Sequence, residues 1–188
     1  VAVPLPASVA TSGPPPASAL KCAPLVVCHH GLGGGHLQMI AVANELAKAG
    51  FVVAATDMPF HGDRAFCKQA SECTAGPCTP IPGTATQGDS VPPGTCTGGV
   101  LKPGPNLTTL ASGNYFISQN FFRARDAIRR DLLDQSAMVL AVARPIAPYP
   151  QPAGDPLAIR LASVHGIAVD ITKVYLAGIS LGAIVGTE

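Results

Sequence analysis

The sequence has no tryptophan, few other aromatic residues and few charged ones. Aromatic side chains make up 5% of the 188 residues, charged side chains make up 12%, and the formal net charge is +1. A surface that binds nucleic acid or anionic lipid needs a concentration of Lys and Arg that this composition does not supply. The sequence therefore predicts no nucleic-acid partner and favours a small, uncharged ligand.

Long apolar runs are also missing, although the chain is hydrophobic overall. No apolar stretch reaches the roughly 18 residues that span a bilayer. Hydrophobic residues nevertheless make up 47% of the chain, which is enough to bury a sizeable core. We expect residues 1–188 to form one domain or a large part of one, with residues 1–23, rich in Pro, Ala and Ser, as an extended lead-in.

Cysteine is scarce outside one segment, residues 65–113, which is rich in Gly, Pro and Thr. Four of the six cysteines lie there: Cys67, Cys73, Cys78 and Cys96. Apolar packing cannot shape such a segment, so we expect disulfides in it. A zinc site is the alternative, but the Cys-x-x-Cys pair usual in structural zinc sites does not occur. Cys22 and Cys28 form a third bridge, or Cys28 is a buried strand residue.

Disulfides predict an exported protein, because they persist in oxidising compartments. The first residue is Val1 rather than Met, which suits a chain from which a signal peptide has been removed. We therefore expect a secreted, periplasmic or outer-surface location in a bacterium.

Apolar strands and helices alternate through the rest of the chain. Residues 24–29 and 51–56 are predicted strands, and residues 36–49 are a predicted helix that Gly50 ends. A longer helix follows at 115–144 and a third strand at 171–178. Because parallel neighbours need a connection of about a dozen residues, this order predicts an α/β fold with a mostly parallel sheet and flanking helices.

The long predicted helix has an apolar face and a charged one. The apolar face of the helix carries Phe121, Ile128, Leu132, Val139 and Val142. Its charged residues lie mostly off that face and are interpreted as a solvated surface with local ion pairs: Arg123, Arg125, Arg129, Arg130 and Asp131.

Segment 65–113 is longer than ordinary loops and is predicted to be a disulfide-tied lid or rim over a site.

The strongest chemical motif is Gly178-Ile-Ser180-Leu-Gly182, at the end of the third strand and the start of an apparent helix. It matches Gly-x-Ser-x-Gly, in which a sharp turn exposes a nucleophilic serine. In isolation the pattern is also compatible with an ordinary turn, because Gly and Ser are common there. The strand before it and the helix after it favour a catalytic Ser180.

A second glycine-rich loop supports that interpretation. His30-Gly-Leu-Gly33 follows the first strand, where acyl-transfer enzymes with this motif place one donor of the oxyanion hole. We predict that the N–H groups of Leu32 and Leu181 form the hole. Gly31, Gly33 and His61 are predicted to contact the substrate, with a structural hydrogen bond as the alternative for His61.

These features together resemble the α/β-hydrolase superfamily, above all its serine esterases and lipases. Within it, the stretches "DMPFHG", "NYFISQNFFRARDAIRRDLLD" and "GISLGAIVGT" resemble a bacterial secreted group related to the virulence-factor lipases. The resemblance covers residues 24–188. It implies that Ser180 attacks a small uncharged or lipid-like carboxylic ester, activated by a histidine that an acidic residue orients, without metal or cofactor.

One part of that pattern is missing. In this fold the acid and the histidine follow the serine, yet only residues 181–188 remain, and Glu188 is too near Ser180 to be the acid. We therefore expect an incomplete hydrolase domain, the N-terminal part, that ends just after the nucleophile elbow. The missing C-terminal part or a second polypeptide would complete it. A noncatalytic binding module and a serine peptidase or amidase are the alternative functions.

The remaining polar candidates are interpreted by their place in the order of elements. His29 and His30 brace the oxyanion loop, with a catalytic role as the alternative, and Asp57 caps a loop, again with catalysis as the alternative. His36 and His165 are expected at the surface or at helix ends. No metal site is predicted, because the five histidines show no His-x-x-x-His spacing on a helix.

Overall fold

The computed structural model describes residues 21–84, 90–143, 161 and 166–186. Most of the predicted lead-in, and His165, lie outside these residues. The helices and strands in chain order are β1 (Lys21–His29), α1 (Ile40–Lys48), β2 (Val52–Ala55), β3 (Cys78–Pro80), β4 (Gly94–Cys96), α2 (Phe121–Ala143), β5 (Ile167–Gly178) and α3 (Leu181–Val185). None of the helices described is both long and apolar enough to cross a bilayer.

The predicted α/β class with a mostly parallel sheet is confirmed. Within the described residues the main sheet has the strand order β2-β1-β5. β1 and β2 run parallel, with Leu25 opposite Val52 and Cys28 opposite Ala55. All four residues of β2 are buried, as expected for a parallel strand that is covered on both faces. α1 is the crossover between these two strands, and Gly50, with φ of +96°, follows its end.

The chain divides into two compact units. The first contains the described residues up to Cys28, Ile40–Thr56 and those from 134 to 177. Its core combines strand residues with the C-terminal half of α2 and consists of Ala23, Leu25, Val27, Val52, Ala54, Met138, Val142, Leu161 and Ile167. Apolar packing between sheet and helix therefore accounts for the stability of this unit.

The second unit contains His29–Met39, the described residues of 57–133, and those from Gly178 onward. Its apolar cluster is small and consists of Met58, Phe116 and Ala127, with Phe60, Ile128 and Leu181 packed against it. Buried polar side chains are more prominent here and include His29, His30, Asp57, His61 and Asp131.

The expected disulfides of segment 65–113 are confirmed as Cys67–Cys78 and Cys73–Cys96. The zinc alternative is therefore wrong, because all four thiols are oxidised. β3 and β4 pair antiparallel between the bridges, with Cys78 opposite Cys96.

A third bridge does not form. Cys22 is an exposed free cysteine and Cys28 is a buried one. Both lie on β1, six residues apart, which is about 20 Å at the rise of a strand, whereas bridged Cα atoms lie within about 7 Å. Cys28 is the buried strand residue of the alternative interpretation, and burial raises the pKa of its thiol.

The long helix begins later than predicted, at Phe121. The side-chain oxygen of Asn120 accepts hydrogen bonds from the N–H groups of Phe122 and Arg123, at 3.1 and 3.3 Å. Asparagine in this position is an N-cap, so the helix cannot extend back to Tyr115. The predicted apolar face is also wrong at two places: Phe121 is 74% exposed, and Asp131 is fully buried.

Candidate active site

Ser180 lies in the sharp turn between β5 and α3. Its backbone has φ of 53° and ψ of −117°, and the residue is exposed. A non-glycine residue with positive φ is uncommon and strained, and such residues cluster at functional sites. The turn is of the strand-to-helix type that presents the serine of a Gly-x-Ser-x-Gly motif.

Both glycines of the motif are required by close backbone contacts. A Cβ on Gly178 would lie 2.5 Å from the amide nitrogen of Ala183. A Cβ on Gly182 would lie 2.6 Å from Nδ1 of His29 and would also collide with the carbonyl oxygens of His29 and His30. Only a residue without a side chain fits at either position.

The glycine loop after β1 lies directly against this turn. A Cβ on Gly31 would lie 3.1 Å from the carbonyl oxygen of Ile179 and 3.2 Å from Cβ of Ser180. The N–H group of Ile179 donates to the carbonyl oxygen of His29 at 3.0 Å. The structure thus brings together the two motifs that the sequence predicted to meet.

The two predicted oxyanion donors, Leu32 and Leu181, belong to these adjoining segments. Leu32 follows Gly31, is 49% exposed, and precedes Gly33, whose φ is +74°. Leu181 is the first residue of α3, so its N–H group has no acceptor within the helix. Among the described residues, neither amide donates a hydrogen bond to another group.

His30 braces the start of the glycine loop, as predicted. Its Nδ1 donates to the carbonyl oxygen of Gly31 at 2.9 Å, and the N–H group of Met58 donates to its Nε2 at 3.0 Å. Because Nε2 accepts, the imidazole is neutral with its proton on Nδ1. Burial lowers the pKa of His30, which favours the same neutral form.

His61 is packed in the interior. Its Nδ1 donates to the carbonyl oxygen of Pro59 at 2.9 Å, and its side chain is fully buried. The rings of His30 and Phe116 both lie 5.1 Å away. Burial lowers the pKa of His61 to about 4, so the ring is neutral near pH 7. The structural hydrogen bond that was the alternative for His61 is therefore present.

Asp57 clamps the loop after β2, in keeping with its predicted capping role. Its carboxylate accepts from the N–H groups of His36 and Asp63 at 2.6 and 3.0 Å, and from the His36 ring at 2.9 Å. Burial raises the pKa of Asp57, but these hydrogen bonds together bring it below its usual value. His36 stands at the start of a short 3₁₀ turn, as expected for a helix-end residue.

His36, Asp57 and Asp63 also have side chains whose chemistry and spacing a metal site could use. Their ligand atoms lie within 4.8 Å of one another. Three N–H groups already occupy the carboxylate of Asp57, however, and the hydrogen bonds explain the cluster without an ion. The arrangement is a loop clamp.

The sequence interpretation missed the pairing of His29 with Asp131. Nε2 of His29 lies 2.6 Å from Oδ2 of Asp131, and the two side chains are 1% and 0% exposed. One signal could have revealed it: Asp131 lies one helical turn after Ala127 and one turn before Gln135, on the side of α2 that Ala127 buries. The charge of Asp131 led it to be placed on the solvated side.

Comparison with known proteins identifies no family for this chain. The chain was compared with protein-family models, curated proteins and solved structures, and none matches it. The chemistry of the site therefore has to be inferred from its own residues.

Proposed function

We propose that this chain is the nucleophile-bearing part of an α/β-hydrolase that cleaves carboxylic esters through an acyl-enzyme on Ser180. The observation that carries the proposal is the backbone of Ser180, strained at φ of 53° and exposed at the junction of β5 and α3. Strain of this kind persists only where the surrounding structure enforces it, here through Gly178, Gly182 and Gly31.

The amides of Leu32 and Leu181 are the proposed oxyanion hole. Both belong to segments in contact with the turn of Ser180, and neither N–H group has an acceptor among the described residues. Preorganised donors of this kind stabilise the charge that develops on the carbonyl oxygen, and each is worth on the order of a hundredfold in rate.

The surroundings of Ser180 favour an apolar, uncharged ester. Leu32 is 49% exposed and Ile179 is 51% exposed, so aliphatic side chains flank the nucleophile. Segment 65–113 also contributes Leu101 and Leu107 to a cavity of about 360 Å³, together with Gly35 and Leu37, but Ser180, Leu32 and Ile179 are not among its lining residues. The exposed aliphatic side chains of Leu32 and Ile179 are therefore what favours a small ester or lipid as the proposed substrate.

The catalytic histidine and acid are proposed to come from polypeptide beyond residue 188, either downstream sequence or a second chain. The three buried histidines are engaged elsewhere: His29 with Asp131, His30 with Gly31 and Met58, and His61 with Pro59. No histidine in the described part of the chain hydrogen-bonds to the hydroxyl of Ser180. In the α/β-hydrolase fold the acid and the histidine follow the serine along the chain, which also favours downstream polypeptide as their source.

The two disulfides fit an extracellular or otherwise oxidising compartment. For the complete protein we propose secretion, or a periplasmic or outer-surface location in a bacterium.

Covalent labelling tests the proposed nucleophile. The full-length gene product is treated with a fluorophosphonate, and the modified residue is found by peptide mass spectrometry. We expect one label, on Ser180, and about a 10⁴-fold or larger loss of p-nitrophenyl ester hydrolysis in Ser180→Ala, because the nucleophile acts in both steps. Ser136→Ala, at an exposed position of α2, is the matched control and should keep full activity.

Two results would contradict the proposal in different ways. Hydrolysis of anilides as fast as of the matching esters would indicate a peptidase or amidase on the same scaffold. Absence of labelling, together with absence of ester hydrolysis, would indicate a noncatalytic module that keeps the turn.

A further inference from the structure

His29 and Asp131 form a buried pair that the proposed chemistry does not use. The two side chains are almost completely excluded from solvent, and Nε2 and Oδ2 lie 2.6 Å apart. Removing such groups from water is unfavourable, and an apolar pair of similar volume often gives equal or greater stability. Positioning of a neighbouring segment is therefore a better explanation of the pair than stability alone.

What His29 orients is the turn of Ser180. Its carbonyl oxygen accepts the N–H group of Ile179 at 3.0 Å, just before the serine. Its ring lies against Gly182, just after the serine, so closely that a Cβ there would be 2.6 Å from Nδ1. His29 thus contacts the chain on both sides of Ser180.

The ring of His29 also touches the glycine loop. Its Nδ1 lies 3.2 Å from the carbonyl oxygen of His30, which can only accept, so Nδ1 carries a proton. A second proton lies between Nε2 and Asp131. Whichever of the two atoms holds it, the pair has no net charge, and both ring nitrogens are satisfied. The ring is therefore fixed at two opposite points.

We propose that Asp131 is a positioning residue: through the imidazole of His29 it fixes the end of β1 against the turn of Ser180, and so sets the spacing of the Leu32 and Leu181 amides. The inference rests on the proposed function, because it assigns these amides to the oxyanion. Asp131 lies on α2 and makes this contact across a long stretch of sequence, so it connects the long helix to the glycine loop.

Two substitutions of Asp131 test the proposal in the full-length protein. Asp131→Asn keeps one side-chain oxygen that can accept a hydrogen bond from Nε2 of His29. A neutral His29 ring, however, has a single proton, which cannot satisfy both this oxygen and the carbonyl oxygen of His30. Asp131→Leu keeps the volume and removes both oxygens. We expect kcat for a p-nitrophenyl ester to fall about 10-fold in the first and about 100-fold in the second, with KM within about twofold, because misplaced donors weaken only transition-state binding.

A readout independent of activity is amide hydrogen exchange at Ile179, whose N–H group bonds to His29. Exchange should be at least about tenfold faster in Asp131→Leu, because loosening this hydrogen bond exposes the amide to water. Asp126→Asn makes the same chemical change on the same helix at an exposed residue. This control should leave kcat, KM and the exchange rate unchanged.

The possible failures are distinguishable. If Asp131→Asn lowers only the unfolding temperature and leaves kcat, KM and Ile179 exchange unchanged, the pair is merely structural and the positioning role is wrong. If Asp131→Leu does not fold, Asp131→Asn alone decides. If the wild-type protein is not labelled at Ser180, the proposed function is wrong, and Ile179 exchange still decides whether Asp131 positions the turn.

Discussion

The main sheet and segment 65–113 are held together by different forces. In the sheet, β1 and β2 contribute Leu25, Val52 and Ala54 to a core in which each is fully buried. In the described residues of segment 65–113 the secondary structure is two three-residue strands and short turns, and two disulfides tie the chain together. Buried large aliphatic residues stabilise the main sheet, and disulfide cross-links stabilise segment 65–113.

The two regions should therefore respond to different perturbations. A parallel sheet with a packed core depends on the close fit of its buried side chains. An irregular segment loses far more conformational entropy per apolar contact, and a cross-link lowers that loss by restricting the unfolded chain. We therefore expect the sheet to respond to side-chain truncation and the second unit to respond to reductant and acid.

The largest effect is expected from Leu25→Ala in the sheet. Leu25 is fully buried in the core, and truncation there should lower the free energy of unfolding by about 3 to 4 kcal/mol through lost burial and a residual cavity. Urea denaturation measures the loss, which should be the same with and without reductant. Leu133→Ala, at a residue that is 66% exposed, should change the free energy by less than about 0.5 kcal/mol.

A smaller effect is expected from removing the Cys73–Cys96 bridge with the double substitution Cys73→Ala and Cys96→Ala. The bridge spans a sequence separation of 23 residues. Closing a loop of that length should contribute about 3 kcal/mol under oxidising conditions, and the difference from wild type should disappear in reductant. Cys22→Ser, at the exposed free cysteine, serves as the control. A loss that persists in reductant would contradict the cross-link explanation.

The smallest effect is a pH dependence from His61. Its pKa is about 4 when folded against 6.5 when exposed, so between these values the unfolded chain binds a proton that the folded protein does not. Stability should therefore fall as pH drops through this window, by about 2 kcal/mol at pH 5 relative to pH 7.5. Urea denaturation at the two pH values measures this fall.

His61→Gln should lose most of that dependence, and the part that remains should come from His30, whose pKa burial also lowers. Leu25→Ala removes no ionisable group and should keep the wild-type pH dependence. Equal slopes in His61→Gln and wild type would show that His61 is not protected from protonation in the folded protein.

Local patterns in the sequence were sufficient for the elements that depend on near neighbours. The alternation of strands and helices gave the mostly parallel sheet, and the crowding of four cysteines gave the disulfides, although not their connectivity. The start of α2 was missed because the apolar periodicity runs through Asn120, whereas its side chain caps the helix. A polar residue that caps a helix can fall within the apolar periodicity, and the predicted helix is then too long.

The site was predictable only in part, for a related reason. Ser180 and the glycine loop carry motifs whose meaning is local, and the structure brings them into contact. Asp131 carries no motif. Its role depends on a partner 102 residues away, and a charged residue on a helix is by default a solvated one.

The sequence alone determined the strand-and-helix order, the oxidised segment and the serine between two glycines, because each depends on residue type at short spacing. Only the tertiary structure decided which cysteines pair, that Cys22 and Cys28 stay apart, that His61 is buried, and that Asp131 meets His29. These outcomes depend on distances between residues far apart in the chain. Packing fixes such distances, and no local pattern encodes them.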